Sequence, residues 1–555
     1  MTTPIERVNM NKDELEALLE RARTAPLSEQ DYAKLKAVVE TLGYLTDLLE
    51  DRKTTIQKLR QMLFGASTEK TRNVVKTDTQ PAAAEADRKP GDKSQTPPAD
   101  PGGEPPGKPA EKPKGHGRNG ASSYTGAKEI KIAHESLKVG DCCPKCEKGK
   151  VYASVPPRVL VRIVGQAPLG ATVYKMESLR CNLCLEIFTA QAPEGVGEKK
   201  YDETSGSMIA LLKYGTGTPF YRLEHLQGSL GIPLPASTQW EIVSEVAEVV
   251  EPAFLECIRQ AAQGKVLHND DTTMKILALM KEAKANNGQA AAEESERKGV
   301  YTSGIISIGE EHKIALFFTG HQHAGENLAD VLAHRASELG APIQMCDALS
   351  RNLPKDFEVL LGNCMAHGRR KFVDVFSDFP GECRYVLETL RDVYKNDAAA
   401  KEQGMSNQER LAFHQAQSGP LMEGLEKWLK EQIAERKTEP NSGLGKAISY
   451  WKNHWKALTL FLRVPGAPLD NNVAERGLKK AILHRKNSMF FKTANGAHVG
   501  DIFMSLIHTC ELAGENPFDY LTELQKHAAE VSRNPKEWMP WNYRQTIANS
   551  RAAPQ

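Results

Sequence analysis

The chain has 555 residues, enough for three or four domains with separate cores, and its 72 Lys and Arg nearly balance 71 Asp and Glu. That balance excludes a strongly basic field over the whole molecule, so affinity for nucleic acid has to come from local patches. No run approaches the roughly 18 apolar residues of a spanning helix, the first residues lack the basic start and apolar core of a signal peptide, and ten cysteines in so long a chain do not make a disulfide scaffold. A cytoplasmic protein without a membrane partner is expected.

Residues 1–72 form the first predicted segment. Leu35, Val38, Leu42, Leu45, Leu49, Ile56, Leu59 and Leu63 step by threes and fours, a heptad seam that predicts a coiled coil for self-association, and hence a homo-oligomer. A helix packed on its own chain is the alternative. Residues 73–125 hold nine prolines between Pro81 and Pro113 and no aromatic side chain between Phe64 and Tyr124. They read as a disordered linker that buries no core.

Residues 126–198 carry two CxxC knuckles, Cys143 with Cys146 and Cys181 with Cys184, separated by segments of strand character. Two thiolate pairs brought together by a hairpin make a closed tetrahedral site for structural Zn2+, a zinc ribbon with no open position for catalysis. Cys142 could replace Cys143. Residues 199–262 are helical in period, with a turn at Gly231-Ile232-Pro233 and a second helix from about Ser237, an arrangement like a helix-turn-helix DNA-binding region.

From 263 to 380 the pattern alternates. Lys265 to Leu279, Val300 to Ile308 and Lys313 to Phe318 predict three antiparallel strands, Ala324 to Ser337 a helix, and Pro342 to Cys346 and Phe357 to Leu361 two further strands. That order is the order of an RNase H-like α/β domain, in which Asp270 on the first strand and Asp347 after the fourth lie side by side. Asp271 should point to the opposite face of its strand, although a slip of one residue would exchange it with Asp270. Residues 381–466 predict a helical insertion whose tryptophans belong to its core.

Residues 467–535 return to the α/β core, and 536–555 form a tail. Pro468 with Asp470, Asn471 and Asn472 signals a helix start that places Glu475 in the first turn. Arg476, Lys479, Lys480, Arg485, Lys486 and Lys492 follow without an acidic residue, a surface suited to phosphates, as is Arg369-Arg370-Lys371.

From the knuckles onward the sequence resembles the DDE transposases of the insertion-sequence sixty-six family, and the Leu63-Phe64-Gly65 and Thr68-Glu69-Lys70 region is similar too. The resemblance rests on Leu212-Lys213-Tyr214 through Arg222, His268-Asn269-Asp270-Asp271-Thr272, Ala366-His367 with Arg369-Arg370-Lys371-Phe372, and above all Asp470-Asn471-Asn472, Glu475-Arg476 and Arg485-Lys486-Asn487. After Asp347 the family usually continues Gly-Tyr, where this chain has Ala348-Leu349-Ser350. The resemblance implies a multidomain α+β protein, located with the bacterial nucleoid, whose triad Asp270, Asp347 and Glu475 binds two Mg2+ ions, or Mn2+. It would cut the ends of an insertion sequence and join the freed 3′-hydroxyls to target DNA. Arg369, Arg370, Lys371, Arg476, Lys479, Arg485 and Lys486 would hold phosphates of double-stranded DNA, and accessory proteins of the same element would act as partners. Hard divalent ions take oxygen ligands and keep open positions, and two of them stabilise the attacking and leaving oxygens of an in-line displacement. The alternative is a catalytically inactive or repurposed DNA-binding relative.

Overall fold

The computed structural model describes residues 166–552 except 181–186, 196, 198 and 287–298, together with 136–142, 144, 148 and 150. The predicted coiled coil, the linker and the cysteines Cys143, Cys146, Cys181 and Cys184 lie outside the described residues. Cys142 is described, exposed, and forms an isolated antiparallel bridge with Lys150. No helix among the described residues is long and apolar enough to cross a membrane.

Two compact units share the described chain, the smaller comprising residues up to Glu198 plus Tyr221–Ala236, the larger Lys199–Phe220 and everything from Ser237. In the smaller, β1 (Ser178–Arg180) and β2 (Ile187–Thr189) pair antiparallel with Ser178 opposite Thr189, their hydroxyls 2.9 Å apart. The larger unit begins with α1 (Glu203–Ala210), capped by the Asp202 carboxylate, which accepts the Ser205 N–H at 2.9 Å. It continues into one π-helical turn, Leu211–Gly215.

Next, α2 (Phe220–Ser229) runs into Gly231 at φ +75°, a left-handed position that glycine adopts without a Cβ penalty. The buried Gln227 Nε2 of α2 donates to Leu169 O at 3.0 Å. Then α3 (Ala236–Ala261) runs for 26 residues and buries Val243, Val246, Ala247, Val250, Phe254 and Cys257 at helical spacing.

One five-stranded sheet organises the larger unit. Its strands are β3 (Val266–Thr273), β4 (Tyr301–Ile308), β5 (Lys313–Gly320), β6 (Ile343–Cys346) and β7 (Leu360–Asn363), in the order β5-β4-β3-β6-β7. The first three are antiparallel, while β6 lies parallel to β3 and β7 parallel to β6. Between β3 and β4 the helix α4 (Leu277–Asn286) replaces the predicted continuation of the first strand to Leu279. Strand β3 stops because its partner β4 begins at Tyr301, opposite Thr273. Beyond it, Phe491 takes the backbone of Lys275 and Leu277 at 2.9 Å each, and Leu-Ala-Leu-Met-Lys-Glu-Ala-Lys favours a helix. Helix α5 (Ala324–Leu332) starts with the Glu326 carboxylate accepting the His323 N–H at 2.9 Å and ends short of the predicted Ser337.

After α6 (Met365–Asp374), which precedes it, the predicted insertion is occupied by helices α7 (Pro380–Glu402), α8 (Asn407–Gln417), α9 (Gly419–Ala434) and α10 (Gly443–Leu458). One apolar cluster joins Phe372, Leu387, Leu390, Leu425, Leu429, Ile448 and Trp451 to Val266 and Ile343 of the sheet. Trp451 is fully buried, and Trp428 and Trp455 lie against the same cluster, so these rings are core. Gly368 lets α6 approach: a Cβ there would meet Trp451 Nε1 at 2.8 Å. Against the upward push of burial, bonds from His414, Lys401 and Arg410 hold the Asp397 carboxyl well below the usual range. Arg410 also donates to Ala467 O at 2.9 Å, tying the insertion to the segment before Glu475.

The remaining helices are α11 (Asn472–Ser488), α12 (Ala494–Leu512), α13 (Pro517–Lys526), α14 (Ala528–Arg533) and α15 (Tyr543–Ala552). Helix α12 closes the β5 edge of the sheet. Asp501 accepts the Thr319 N–H at 2.7 Å, Ser505 the Phe317 N–H at 2.9 Å, and Thr509 the Ala315 N–H at 3.0 Å. Four helical residues rise about 6 Å and two strand residues about 6.6 Å, so side chains at i, i+4 and i+8 meet every second N–H of the strand. Ser505→Ala leaves the buried Phe317 N–H unpaired and is expected to destabilise the protein by about 1–3 kcal/mol, read as a lower urea midpoint.

Candidate active site

Strand pairing sets the first two carboxylates. The last register pair of β3 and β6 is His268 with Met345, so Asp270 and Asp347 each lie two residues beyond it in parallel chains. Helix α11 crosses β3 and β4 with Ala474 and Leu478 buried, and Gly304 on β4, opposite Asp270, gives Leu478 room: a Cβ there would meet its side chain at 3.0 Å. Glu475, in the first turn of α11, is thereby brought to the same end of the sheet.

The electrostatics report this convergence. Burial lifts the Asp270 carboxyl to about 7, the charges of Asp347, Asp271 and Glu475 add to the rise, and the bond from the Asp271 N–H opposes it. Asp271 itself turns away and pairs with His323 Nδ1 at 2.9 Å and the Arg351 guanidinium at 3.2 Å. A set of oxygen donors that repel one another is the donor chemistry of a hard divalent cation, which would relieve that repulsion, so the residues present fit such an ion.

Polar residues carrying no charge hold the carboxylates in place. The Asp347 Oδ1 accepts from Asn352 Nδ2, and the Asp347 carbonyl accepts from Asn363 Nδ2 at 3.4 Å. The Asn352 carbonyl in turn accepts from Asn269 Nδ2 at 2.8 Å and Gln344 Nε2 at 2.6 Å, all three side chains being fully buried. Asn471, also fully buried, donates from Nδ2 to Asn269 O at 3.0 Å, and its Oδ1 lies 3.0 Å from His268 Nδ1. Since Oδ1 can only accept, His268 carries its proton on Nδ1; burial pushes this imidazole down to about 4 and keeps it neutral. Asn471 therefore fastens the start of α11 to β3. At the other end of α11, the buried Lys213 of the π-helical turn donates to Ser488 Oγ at 2.9 Å and lies 4.9 Å from the Phe220 ring. Burial brings its ammonium down to about 8, and the helix C-terminus favours the charge.

The cationic residues separate into two groups. Arg476, Lys479 and Lys486 are exposed at spacings that put them on one face of α11, and Arg370 and Lys371 are exposed on α6, Lys371 lying 5.6 Å from the Tyr450 ring, with Arg369 half-buried beside them. Arg485 instead points to the end of β3, donating to Thr272 Oγ1 at 2.9 Å and Thr273 Oγ1 at 2.8 Å. Lys480 pairs with Glu511 at 2.8 Å. Sequence reasoning gave Asn471 only a part in starting the helix, where its side chain makes no cap, and gave no role to Asn269, Gln344, Asn352 or the neighbours Cys364 and His367, whose ligand atoms lie with that of Glu475 within 4.8 Å of one another. The polar residues crowding His268-Asn269 and Asp470-Asn471-Asn472 were the available signal, since apolar core needs no such residues.

Curated relatives come from Sinorhizobium fredii (strain NBRC 101917 / NGR234). Uncharacterized protein y4jD is 27% identical over 356 residues, covering 60% of this chain and 65% of that protein. Uncharacterized protein y4hP is 24% identical over 395 residues, 67% of this chain and 68% of that protein. Uncharacterized protein y4qI is 23% identical over 342 residues, 60% and 61% of the two chains. The chain thus spans about two-thirds or less of the length of the first of these relatives. Residues 200–499, which include β3 to β7, the helical insertion and all of α11, match the model of the Transposase IS66 family, and the chain belongs to that family.

Proposed function

We propose that the chain is a DNA transposase that binds the ends of an insertion sequence and carries out magnesium-dependent cleavage and strand transfer through Asp270, Asp347 and Glu475. The observation that carries this reading is the parallel register of β3 and β6, which sets Asp270 and Asp347 each two residues beyond the His268–Met345 pair, with Glu475 in the first turn of the helix that crosses β3; burial and acidic neighbours raise the Asp270 carboxyl to about 7. Membership of the family and the sheet order β5-β4-β3-β6-β7, the order of an RNase H-like core, support it.

When bound, the divalent ions supply charge stabilisation to the attacking and leaving oxygens of the phosphodiester. The protein's own part is placement. Asp270 is fixed by the sheet, Asp347 by Asn352, and Glu475 by a helix fastened at both ends, so the carboxylates hold their geometry without reorganising during the reaction. The exposed Arg476, Lys479 and Lys486, with Arg369, Arg370 and Lys371, would take the phosphates of the DNA strands. In this reading Arg485 steadies the end of β3 and turns its remaining N–H groups to phosphate. The four cysteines Cys143, Cys146, Cys181 and Cys184 would hold structural zinc in a module that helps bind the element ends. Self-association and accessory proteins of the element complete the proposed assembly.

The full-length protein, a labelled element end and target DNA with Mg2+ provide the test. Joined product is expected from the parent and not from Glu475→Gln, which keeps the size of the side chain and removes its charge. DNA bound but uncut by both proteins would favour the non-catalytic relative.

A further inference from the structure

One ring nitrogen beside the carboxylates has no hydrogen bond among the described residues to explain its position. His367 lies one turn into α6, and its Nδ1 is buried without a hydrogen-bond partner among the described residues. Its neighbour is Glu475 Oε1 at 3.8 Å, too far for a hydrogen bond. Two ligands about 2.1 Å from a shared ion stand roughly 3–4 Å apart, so the spacing is that of ligand atoms awaiting a cation. The ring is held there on purpose-built backbone: Met365 N donates to Leu469 O at 3.0 Å and Asn471 N to Cys364 Sγ at 3.2 Å, so α6 and the start of α11 are stitched together just where His367 and Glu475 face each other.

We propose that His367 Nδ1 is a direct ligand of the divalent ion held by Glu475, which gives this site one nitrogen donor among its oxygens. The inference rests on the carboxylate site proposed above. Its chemical consequence is selectivity. Mg2+ is hard and takes oxygen, whereas Mn2+ accepts an imidazole, so the site prefers Mn2+ to a degree that an all-oxygen triad does not. Cys364, the third member of the group, is a positioning residue: its sulfur is fully buried and already accepts the Asn471 N–H.

The test uses the full chain as purified, with no zinc added, dialysed free of loosely bound divalent ions and given less than one equivalent of Mn2+. Pulsed electron paramagnetic resonance reads nitrogen directly bound to manganese. The parent is expected to show strong 14N modulation that disappears in His367→Gln and His367→Ala, with the ratio of Mn2+ to Mg2+ affinity falling on the order of tenfold. Circular dichroism melts identify any variant that fails to fold, and the two substitutions together guard against one that does. Manganese whose binding depends on Asp270 but shows no modulation lost with His367 overturns the inference and leaves the carboxylate reading standing. Manganese binding unchanged by Asp270→Asn overturns the carboxylate reading as well.

Discussion

Asp270→Asn is expected to yield a protein that is more stable than the parent in ion-free buffer at pH 8 and that joins no DNA. The carboxyl is raised from 3.8 to about 7 in the folded chain, so the unfolded chain gives up its proton first. Stability tied to this group is therefore fully present below pH ~4 and is lost as pH rises toward 7. The distance between the two values caps the loss at about 4 kcal/mol, and solvent at the site reduces it to about 2–4 kcal/mol. Asparagine carries no charge and keeps an oxygen for the Asp271 N–H, so the variant escapes the loss. Urea midpoints at pH 5 and pH 8 with chelator should diverge for the parent and stay together for the variant. Parallel curves would refute the account. Adding divalent cation should stabilise the parent selectively, since only its site binds the ion tightly. In the joining assay the same substitution is expected to lower the rate by on the order of 10³-fold or more, because on the proposed reading it removes both a ligand and a charge from the reacting centre.

Asn471→Ala should damage the molecule in the opposite sense, losing stability and activity together. Its amide is fully buried and bonds the start of α11 to the Asn269 carbonyl and the His268 ring of β3. Alanine leaves that carbonyl and the His268 Nδ1–H without partners in a place water does not reach, a penalty of about 2–4 kcal/mol. Because α11 carries Glu475 in its first turn, loosening its start also moves a carboxylate that has to sit within a fraction of an ångström of its place. The check is a denaturation midpoint measured beside the joining rate. A variant with the parent's midpoint would show that the buried amide is not what fastens the helix.

Much of the larger unit was legible in the sequence because its signals are local. Residues 301–308 and 313–320 are short runs rich in apolar residues and buried along most of their length, and Asp470 marks the helix start by accepting the Asn472 N–H, whereas the Asn471 side chain expected to cap it reaches β3 instead. The insertion's tryptophans fell at core spacing and are core. The length of the first strand was misjudged because apolar alternation continues past Thr273, while the partner that takes up Lys275 and Leu277 is Phe491, more than two hundred residues away. The polar network of Asn269, Gln344, Asn352 and Asn471 was invisible for the same reason: an amide side chain declares neither its partner nor its burial. Arg485 and Lys486 are neighbours in a basic run, yet one reaches to the end of β3 and the other stays exposed, a division set by helix rotation against the sheet.

The closure of β5 by Asp501, Ser505 and Thr509 reaches beyond its contribution to stability. A bare edge strand is an adhesive, ready to accept a strand from a neighbour. Here the donors at 315, 317 and 319 are already taken by side chains of a helix that belongs to the same fold, so no strand of another copy can extend the sheet at this edge. On the proposed reading, copies gathered on one DNA do not join by adding a strand at β5, and a sequence that traded these three polar side chains for apolar ones would leave three strand donors without partners at that edge.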